Sequence, residues 1–419
     1  MKMQVRAVFI LYAALVLMGL TACGVGHSGC NSTTFGYSSE NSSCPVSGNG
    51  NTAAAFVFVL NGSGSPGELS GYTLNTVNTL LAPTSSNGFP ETPGLDAGIG
   101  MVVAQKQFLY AAFGSTNQIF GWSISSIGTL TPIANSPMTA TFASGASSTF
   151  DTNRVATNPA GTLLFIADAA QDQILVYEIG SGGALTPVTG SPFSVPFSPG
   201  NMATDGPGNY LYITATSSSH TGSEIGAYSI GAGNSLGVLT AVSGSPFAFP
   251  MWQVQGEPTG KFLIGTTGHN LSINGSDDYN LYVFSITQSG ATAGAITEES
   301  PFLTTTPPYS IAVQSNAGGN LIYSFSLIDS GKGFNATEGF TLNSDGTLSE
   351  VSGSPFANAE AGDTGQFDQS GSFLFEYGGA LEANTMVYNV GGFDVVNGDP
   401  TEPASDGTYG GFWVATDPR

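Results

Sequence analysis

A short Ser-Pro-aromatic element recurs along this chain, and it limits the fold more than any other feature. Five copies, the first with Met in place of the aromatic residue, have prolines spaced 55, 54, 55 and 54 residues apart: Pro137, Pro192, Pro246, Pro301 and Pro355. Each copy follows a short apolar strand pattern, such as Gly346–Glu350. A fixed period of about 50 residues built from short strands is typical of a radial repeat of small β-sheets.

The repeat predicts a β-propeller whose blades each have four strands, named A to D from the axis outward. Short apolar and aromatic runs mark the B strands, as expected for buried strands: 56–60, 108–112, 163–167, 210–214, 262–266, 321–325 and 373–377. The C strands follow them at 69–74, 119–124, 174–179, 225–230, 281–286, 337–342 and 385–390. Each carries an aromatic residue near its end, and we expect these rings to pack against the next blade rather than stack on a ligand.

The A strands indicate how the propeller closes. Six units have one before the B strand, at 98–103, 153–158, 201–205, 252–257, 309–314 and 364–368, whereas the first unit has none. The C-terminal segment Phe412–Pro418 resembles an A strand with no B strand after it. We therefore predict one all-β domain, residues 54–419, a seven-bladed propeller closed when the C-terminal strand completes the N-terminal blade, which removes exposed sheet edges.

Residues 1–22 have the features of a lipoprotein signal peptide. Lys2 and Arg6 precede an apolar run of about ten residues, too short to span a bilayer. The run ends in Leu20-Thr21-Ala22-Cys23, which resembles a bacterial lipobox and implies cleavage before Cys23 and acylation of that cysteine. The alternative is an ordinary secretory signal followed by an incidental cysteine. Gly24 after the cysteine favours the outer membrane, with the periplasmic or the outer surface left open.

Residues 23–53 are predicted to be the lipidated cysteine and a flexible tether, because they are rich in Gly, Ser and Asn and show no periodicity. Cys30 and Cys44 lie in this tether. In an exported, oxidising setting they are expected to form a disulfide. Two free thiols remain the alternative.

The charge balance excludes several classes of partner. The formal net charge is −22, and removal of the signal with its two basic residues makes it −24. Five basic residues then remain, too few to build the basic face that nucleic-acid binding needs. Electrostatic docking on anionic lipid is excluded for the same reason, so we expect membrane contact through the lipid anchor alone. We expect a monomer that needs no cofactor and no metal.

The third repeat resembles the seven-bladed propeller lactonase family, which includes propeller-type 6-phosphogluconolactonases and muconate-lactonising enzymes. The resemblance rests on Asn158–Ala167, Gln173–Tyr177 and Gly183–Phe193 and extends over nearly all of residues 54–419. Functional positions of the family match at Val155, Pro159, Gly161, Asp168 and Asp172. The family's histidine is replaced by Asn153, and the arginine that often follows the second aspartate is replaced by Gln173.

The resemblance, together with the predicted loops, places a candidate site at one face of the propeller. We call this face the mouth, because the loops joining B to C and D to A rim the channel there. Three candidates are catalytic, Arg154 as an electrostatic clamp and Asp168 or His269 as a base that activates water. Three further candidates are binding residues: Asn153, Asp172 and His220.

Two functions are consistent with this pattern. Loss of the histidine that could transfer protons near neutral pH, and the scarcity of ionisable groups, favour a propeller that binds a ligand or partner at the cell envelope without catalysis. A carbohydrate, a lactone or an envelope protein would be the ligand. The alternative is a hydrolase of a sugar lactone, 6-phosphogluconolactonase-like, acting at the mouth of blades 3 to 5.

Replacement of Cys23 tests the anchor. Cys23→Ser removes the thiol that accepts the lipid, so the protein should lose its acyl label and leave the membrane fraction or fail to mature. Fractionation with a labelled fatty acid measures both effects. Cys30→Ser is the control and should keep label and membrane partition, whereas membrane partition unchanged in Cys23→Ser would contradict the anchor.

Overall fold

Short apolar runs form the strands of this chain. Phe108–Phe113 and Leu163–Asp168 are buried at every position, as expected for strands covered on both faces of a sheet. Tight turns separate the strands, and many of them contain a glycine at positive φ, such as Gly183 at 81°.

The computed structural model describes residues 53–61, 68–75, 81–83, 100–113, 117–140, 154–215, 224–268, 279–299, 301–314, 320–326, 337–356, 364–367, 373–382, 385–396, 399–408 and 413–418. The predicted signal peptide and the predicted tether up to residue 52, with Cys23, Cys30 and Cys44, lie outside these residues. The described residues all belong to the compact unit Val46–Arg419.

Within these ranges the strands form seven sheets. Sheet 1 contains β1 (Ala53–Asn61), β2 (Glu68–Asn75) and β3 (Leu81–Pro83). Sheet 2 contains β4 (Gly100–Ala104), β5 (Phe108–Phe113), β6 (Gln118–Ile124), β7 (Leu130–Pro132) and β8 (Met138–Thr139). Sheet 3 contains β9 (Val155–Thr157), β10 (Leu163–Asp168), β11 (Gln173–Ile179), β12 (Leu185–Pro187) and β13 (Phe193–Ser194).

Sheet 4 contains β14 (Pro199–Thr204), β15 (Tyr210–Ala215), β16 (Ile225–Ile230) and β17 (Leu239–Ala241), with a 3-10 turn at Gly233–Ser235. Sheet 5 contains β18 (Gln253–Gly256), β19 (Phe262–Thr266), β20 (Asn280–Ile286), β21 (Ile296–Glu298) and β22 (Phe302–Leu303). Sheet 6 contains β23 (Ser310–Val313), β24 (Leu321–Phe325), β25 (Thr337–Leu342) and β26 (Leu348–Glu350). Sheet 7 contains β27 (Thr364–Phe367), β28 (Phe373–Glu382), β29 (Thr385–Val396) and β30 (Asp399–Thr408). The last strand, β31 (Trp413–Pro418), joins sheet 1.

The prediction of an all-β fold built from four-stranded antiparallel sheets is confirmed, and the sheets resemble propeller blades. In sheets 2 to 7 the first four strands pair in chain order, with the A strand at one edge, and the short fifth strands β8, β13 and β22 of sheets 2, 3 and 5 pair with the C strand. Sheet 1 differs, because its A position is filled by β31, which pairs antiparallel with β1 from Leu60↔Trp413 to Ala55↔Pro418. The A strands contact one another in the succession β31, β4, β9, β14, β18, β23, β27, and β27 also contacts β31.

The serine of the recurring Ser-Pro element stabilises the outer part of a sheet through a hydrogen bond to the C strand. In sheet 3, the Ser191 hydroxyl accepts a hydrogen bond from the Val176 amide of the C strand at 2.8 Å. The Ser191–Pro192 peptide is cis, and Phe193 then pairs with Ile174 at the start of the C strand. Ser136, Ser245 and Ser354 accept the corresponding amide bonds in sheets 2, 4 and 6. The motif that sets the repeat length is therefore structural.

The hydrophobic core lies between consecutive sheets rather than at one centre. Six clusters of buried residues each join two neighbouring sheets within the described part of the chain. Five C-strand aromatic residues belong to these clusters, so these rings pack in the core: Trp122, Tyr177, Tyr228, Phe284 and Phe340. The predicted direction was wrong, however: Trp122 packs with residues of sheet 1, and Tyr177 with residues of sheet 2, so these rings face the preceding blade.

Tyrosine hydroxyls connect blades across this core. Tyr110 donates to the Gly183 carbonyl of the next sheet at 2.6 Å, and Tyr212 donates to the Gly294 carbonyl at 3.0 Å. Burial raises the pKa of both tyrosines far above the usual range, so they stay protonated donors. Both glycines have positive φ and sit against an aromatic ring of the preceding blade, where a Cβ at Gly294 would lie 2.3 Å from Tyr210.

Two differences from the predicted strands have local causes. Strand β9 is shorter than predicted and covers Val155–Thr157, because Asn158 already caps the turn into β10 by accepting the amides of Thr162 and Leu163. Strand β28 continues past its predicted end to Glu382, which pairs with Thr385, and β29 continues to Val396, which pairs with Asp399 of β30.

Deletion of residues 413–419 tests the role of β31. Without it, β1 loses its ladder on one side, and the buried Phe56, Val57 and Phe58 lose cover. Each buried side chain is worth about 1.5–3 kcal/mol, so we expect the melting temperature to fall by roughly 5–10 °C or more, or cooperative melting to disappear. Calorimetry on the purified protein measures this, with removal of Arg419 alone as the control. A truncated protein that melts within a degree or two of the intact one would show that sheet 1 does not depend on β31.

Candidate functional site

The candidate site lies where the A strands begin, beside the ends of the B strands. Because A and B strands are antiparallel, the start of one lies against the end of the other. Arg154 immediately precedes β9, and its carbonyl accepts the amide of Ala167 near the end of β10. Asp168 ends β10. The register thus brings Arg154 and Asp168 to the same end of sheet 3, on adjacent strands and one position apart.

Side chains of one A strand hydrogen-bond to the backbone of the next A strand at this end. The Asn201 amide oxygen accepts the Val254 amide at 2.9 Å, and the Gln253 oxygen accepts the Ile311 amide at 2.8 Å. Gln255 binds both the Val313 amide, at 3.0 Å, and the Ile311 carbonyl, at 2.9 Å. An A strand is a sheet edge, so without these bonds its inward-facing backbone groups would be left without partners in the sheet.

Arg154 occupies the position in sheet 3 that Asn201 and Gln253 occupy in sheets 4 and 5. Each lies opposite the fifth residue of its B strand, Ala167 for Arg154 and Thr266 for Gln253. Asn201 and Gln253 use a side-chain oxygen to accept an amide of the next A strand, but a guanidinium has donors only. Arg154 therefore cannot take that part in the hydrogen-bond pattern.

Arg154 is also unusual in its burial. It is 8% exposed, whereas Lys106 and Lys261, the other basic residues in the described ranges, are exposed. Removal of a cation from water costs several kcal/mol unless acceptors compensate for it. A buried cation at a position that the scaffold fills elsewhere with amides is the strongest chemical signal in this part of the protein.

Asp168 organises its own loop. It is 4% exposed, and each carboxylate oxygen accepts a bond from within the B–C loop: Oδ1 from the Ala170 amide at 3.2 Å and Oδ2 from Gln173 Nε2 at 2.9 Å. Gln173 also bonds to Gln171 Oε1 at 3.1 Å. These two bonds occupy one lone pair on each carboxylate oxygen and hold the side chain against its own turn.

The other candidates separate into exposed and undescribed residues. Asp172 is exposed in the same loop, with φ of 51°, the left-handed region that aspartate tolerates in turns. Asn153, His220 and His269 lie outside the residues that the structure describes, so their predicted roles stay predictions. Of the six candidate site residues, the structure brings together Arg154, Asp168 and Asp172.

Two aromatic residues at the mouth ends of A strands were missed. Trp252 and Tyr309 immediately precede β18 and β23, and their ring centroids lie 6.3 Å apart with the planes tilted by 37°. Trp252 is buried and Tyr309 is partly exposed. Both stand at the position that corresponds to Asn153 in sheet 3. Both residues begin predicted A strands, but the predicted site was built from acidic and histidine residues of the loops.

A buried carboxylate fixes the segment that leads into β23. Glu338 is 1% exposed and accepts bonds from the amides and hydroxyls of Thr305 and Thr306, at 2.8–3.1 Å. Next to this segment, the Thr266 hydroxyl donates to the Pro308 carbonyl. These contacts hold the start of β23, and with it Tyr309, in place.

The described residues contain no group of three or more His, Cys, Asp or Glu side chains arranged to hold a metal ion. They also contain no helix long and apolar enough to cross a membrane.

No protein-family profile matches the sequence, and no curated protein matches it. Solved structures do match. A protein of Bacteroides fragilis provisionally named a 6-phosphogluconolactonase is 15% identical, with a TM-score of 0.62 over 88% of this chain and 99% of that one. A Bacteroides uniformis protein with the same provisional name is 16% identical, with a TM-score of 0.61 over 87% and 99%. The periplasmic gluconolactonase of Pseudomonas aeruginosa is 12% identical, with a TM-score of 0.56 over 84% and 98%. The fold is therefore similar to that of the lactonase propellers.

Asp168→Ala tests whether this carboxylate is structural. The change removes the hydrogen bonds that Asp168 accepts from the Ala170 amide and from Gln173 Nε2, which should lower the free energy of unfolding by about 1–3 kcal/mol. Denaturant titration measures it. Asp172→Asn in the same loop is the matched control and should change stability by less than about 0.5 kcal/mol, because the residue is exposed and asparagine tolerates its positive φ. Equal stability of the two variants would show that Asp168 does not stabilise the loop.

Proposed function

We propose that the seven sheets are the blades of one closed propeller, with β31 as the A strand of the N-terminal blade. Three observations support this proposal: β31 pairs with β1, the A strands contact one another in sequence order, and β27 also contacts β31. Closure would leave no free A-strand edge on which another chain could pair.

The propeller is proposed to be a lipoprotein of the bacterial envelope. Support comes from the lipobox-like Leu20–Cys23 and the Gly/Ser/Asn-rich tether after it. In this arrangement acylated Cys23 holds a monomeric propeller at the outer membrane, on a tether whose Cys30 and Cys44 are bridged. The protein would reach its ligand outside the cytoplasm, where phosphorylated sugars are scarce.

Its function in that place is proposed to be binding at the mouth without catalysis. The observation that carries this proposal is the state of Asp168: both carboxylate oxygens accept bonds from its own loop. Asn153 supplies no proton-transfer group at the position of the family's histidine. Arg154 and the Trp252–Tyr309 pair then serve as contacts for a ligand rather than as parts of a reaction.

Hydrolysis of a sugar lactone is the second candidate. Two observations favour it, the fold similarity to a periplasmic gluconolactonase and the placement of Arg154 and Asp168 at the same end of sheet 3. Arg154 would stabilise the oxyanion, and Asp168, or His269 from its loop, would activate water. An unphosphorylated lactone suits a protein of net charge −24 better than a phosphate dianion does.

A titration assay separates the two candidates. The purified full-length protein in detergent is incubated with a panel of aldonolactones, and acid release is followed in a pH-stat beside Arg154→Ala, Asp168→Ala and Asp172→Asn. We expect each protein to give the spontaneous rate.

Turnover above that rate would overturn the binding proposal if it fell by about 100-fold or more in Arg154→Ala and Asp168→Ala, the loss typical of a removed base or oxyanion donor. Asp172→Asn should keep the activity in that case, because it has no part in either role.

A further inference from the structure

We propose that the end of the propeller opposite the mouth lies against the membrane surface, so that the mouth opens away from the lipid. This end, the turn face, is formed by the turns that join A to B strands and C to D strands in sheets 2 to 6. The inference goes beyond binding at the mouth and rests on the proposed lipid anchor at Cys23. It is carried by the place where the tether enters the fold and by the side chains that the turn face exposes.

The A–B turns of neighbouring sheets form one continuous surface. In the turn of sheet 2, Gln105 Nε2 donates to the Gly161 carbonyl in the turn of sheet 3 at 3.0 Å. Gly208 in the turn of sheet 4 packs against Pro159 of sheet 3, where a Cβ would lie 2.8 Å from the proline ring. The turn of sheet 4 contacts that of sheet 5 in the same way. The exposed residues of these turns therefore keep fixed positions relative to one another.

The tether enters the fold at this same end. Strand β1 is a B strand, and its first residue, Ala53, pairs with Asn75, the last residue of the C strand β2. Ala55 pairs with Pro418, the last residue of the A strand β31. Because A and C strands end at the turn face, the chain that arrives from Cys23 reaches the propeller there and not at the mouth.

The length of the tether favours the turn face as the side nearer the membrane. Residues 24–52 separate Cys23 from β1. A flexible coil of this length has a mean reach of roughly 30 Å. A seven-residue strand such as β20 is roughly 23 Å long. With the mouth against the bilayer, the chain would have to pass along the height of a sheet before it met the lipid, which would take up most of its reach.

The charges of the turn face suit an anionic lipid surface better than the chain as a whole does. In the described A–B and C–D turns of sheets 2 to 6, three charged side chains are exposed: Lys106, Lys261 and Asp345. Asp205 and Glu257 are each 2% exposed and accept backbone amides at the ends of their own turns. These turns therefore expose a net positive charge, whereas the formal net charge of the chain is −22.

An apolar side chain stands beside one of these lysines. Ile127 lies in the C–D turn of sheet 2 and is 69% exposed. The Ile124 amide donates to the Gln107 carbonyl at 2.7 Å, which brings this C–D turn next to the A–B turn that carries Lys106. An isoleucine beside a lysine suits the bilayer interface, because the apolar group can enter the acyl boundary while the ammonium stays among the headgroups.

These contacts are strong enough to orient an anchored protein but not to bind a free one. Each lysine near an anionic bilayer favours contact about fivefold, Asp345 offsets one of them, and burial of Ile127 adds roughly tenfold. The product of roughly 50-fold is too small to hold an unanchored propeller on lipid, as the charge balance of the chain indicates. For a propeller that acylated Cys23 already keeps at the surface, the same factor selects one orientation.

The lysines of the protein report its orientation. Full-length lipidated protein is added to preformed vesicles of phosphatidylcholine and phosphatidylglycerol and pulsed with a membrane-impermeant lysine-acetylating reagent, and mass spectrometry measures each site. Lys332 belongs to the segment that joins β24 to β25, from B to C strand on the mouth side. Relative to the protein in non-ionic detergent, labelling of Lys106 and Lys261 should fall about fivefold or more, and that of Lys332 less than about twofold.

A double variant tests which side chains make the contact. Lys106→Glu combined with Ile127→Ser removes a cation and the apolar group, so the protection of Lys261 should fall about threefold or more. Both residues are exposed, so the melting temperature should not change. Leu303→Ser is the matched control, because Leu303 is 71% exposed and pairs with Asn280, the first residue of a C strand, at the mouth end of sheet 5. It should leave the protection of Lys261 intact.

Several results would overturn the proposed orientation. Protection of Lys332 in place of Lys106 and Lys261, equal labelling of all three, or unchanged protection in the double variant would each reject it while the anchor stands. Protection of Lys261 on native membranes but not on pure lipid would assign the turn face to a protein partner and reject the lipid contact. Failure of the protein to carry an acyl group or to join the vesicles is a separate result, because it rejects the anchor itself and the orientation with it.

Discussion

The inner edges of the sheets depend on hydrogen bonds that cross from one blade to the next. Each A strand has a partner strand on one side only, so half of its backbone groups point away from that partner. Asn201, Gln253 and Gln255 supply the missing partners from the preceding blade, and the Thr266 hydroxyl adds a bond to Pro308. Because an unpaired buried amide costs about 1–3 kcal/mol, these bonds favour one relative placement of consecutive sheets.

The need for side-chain acceptors at the A-strand edges separates residues that complete these edges from residues that do not. A position that serves the scaffold should hold an acceptor of about the right length, as two consecutive sheets do with an asparagine and a glutamine. Arg154 offers donors only and is buried, so it does not complete the neighbouring edge as an amide does. Glu338 is a buried charge that serves the scaffold, because it accepts bonds from Thr305 and Thr306. Asp168 likewise accepts bonds within its own loop.

The fold could be predicted from the sequence because its determinants are local and repeated. The Ser191 hydroxyl accepts an amide only 15 residues away in the sequence, and the apolar B strands β5, β10 and β19 are buried at every position. The direction in which the C-strand rings pack could not be predicted, because alternation puts Trp122 and Tyr177 on one face of a sheet without saying which neighbour covers that face. The hydrogen bonds of the candidate site could not be predicted from the sequence. Asp168 and Gln173 flank the B–C loop, but whether a carboxylate there faces a ligand or its own turn depends on backbone geometry that single residues do not reveal.

The residues that stabilise the fold are separate from the residues at the starts of the A strands. The tyrosine hydrogen bonds to Gly183 and Gly294 lie away from the starts of the A strands. The same holds for the hydrogen bond that the serine of a Ser-Pro element accepts from the C strand. At those starts a side chain of one A strand can complete the backbone of the next, as Asn201 and Gln253 do. Arg154 stands at the corresponding position of sheet 3 and carries donors only, whereas Trp252 and Tyr309 stand one residue earlier on their strands. The chemistry at the starts of the A strands therefore varies from sheet to sheet, while the hydrogen bonds and packing that join the sheets recur.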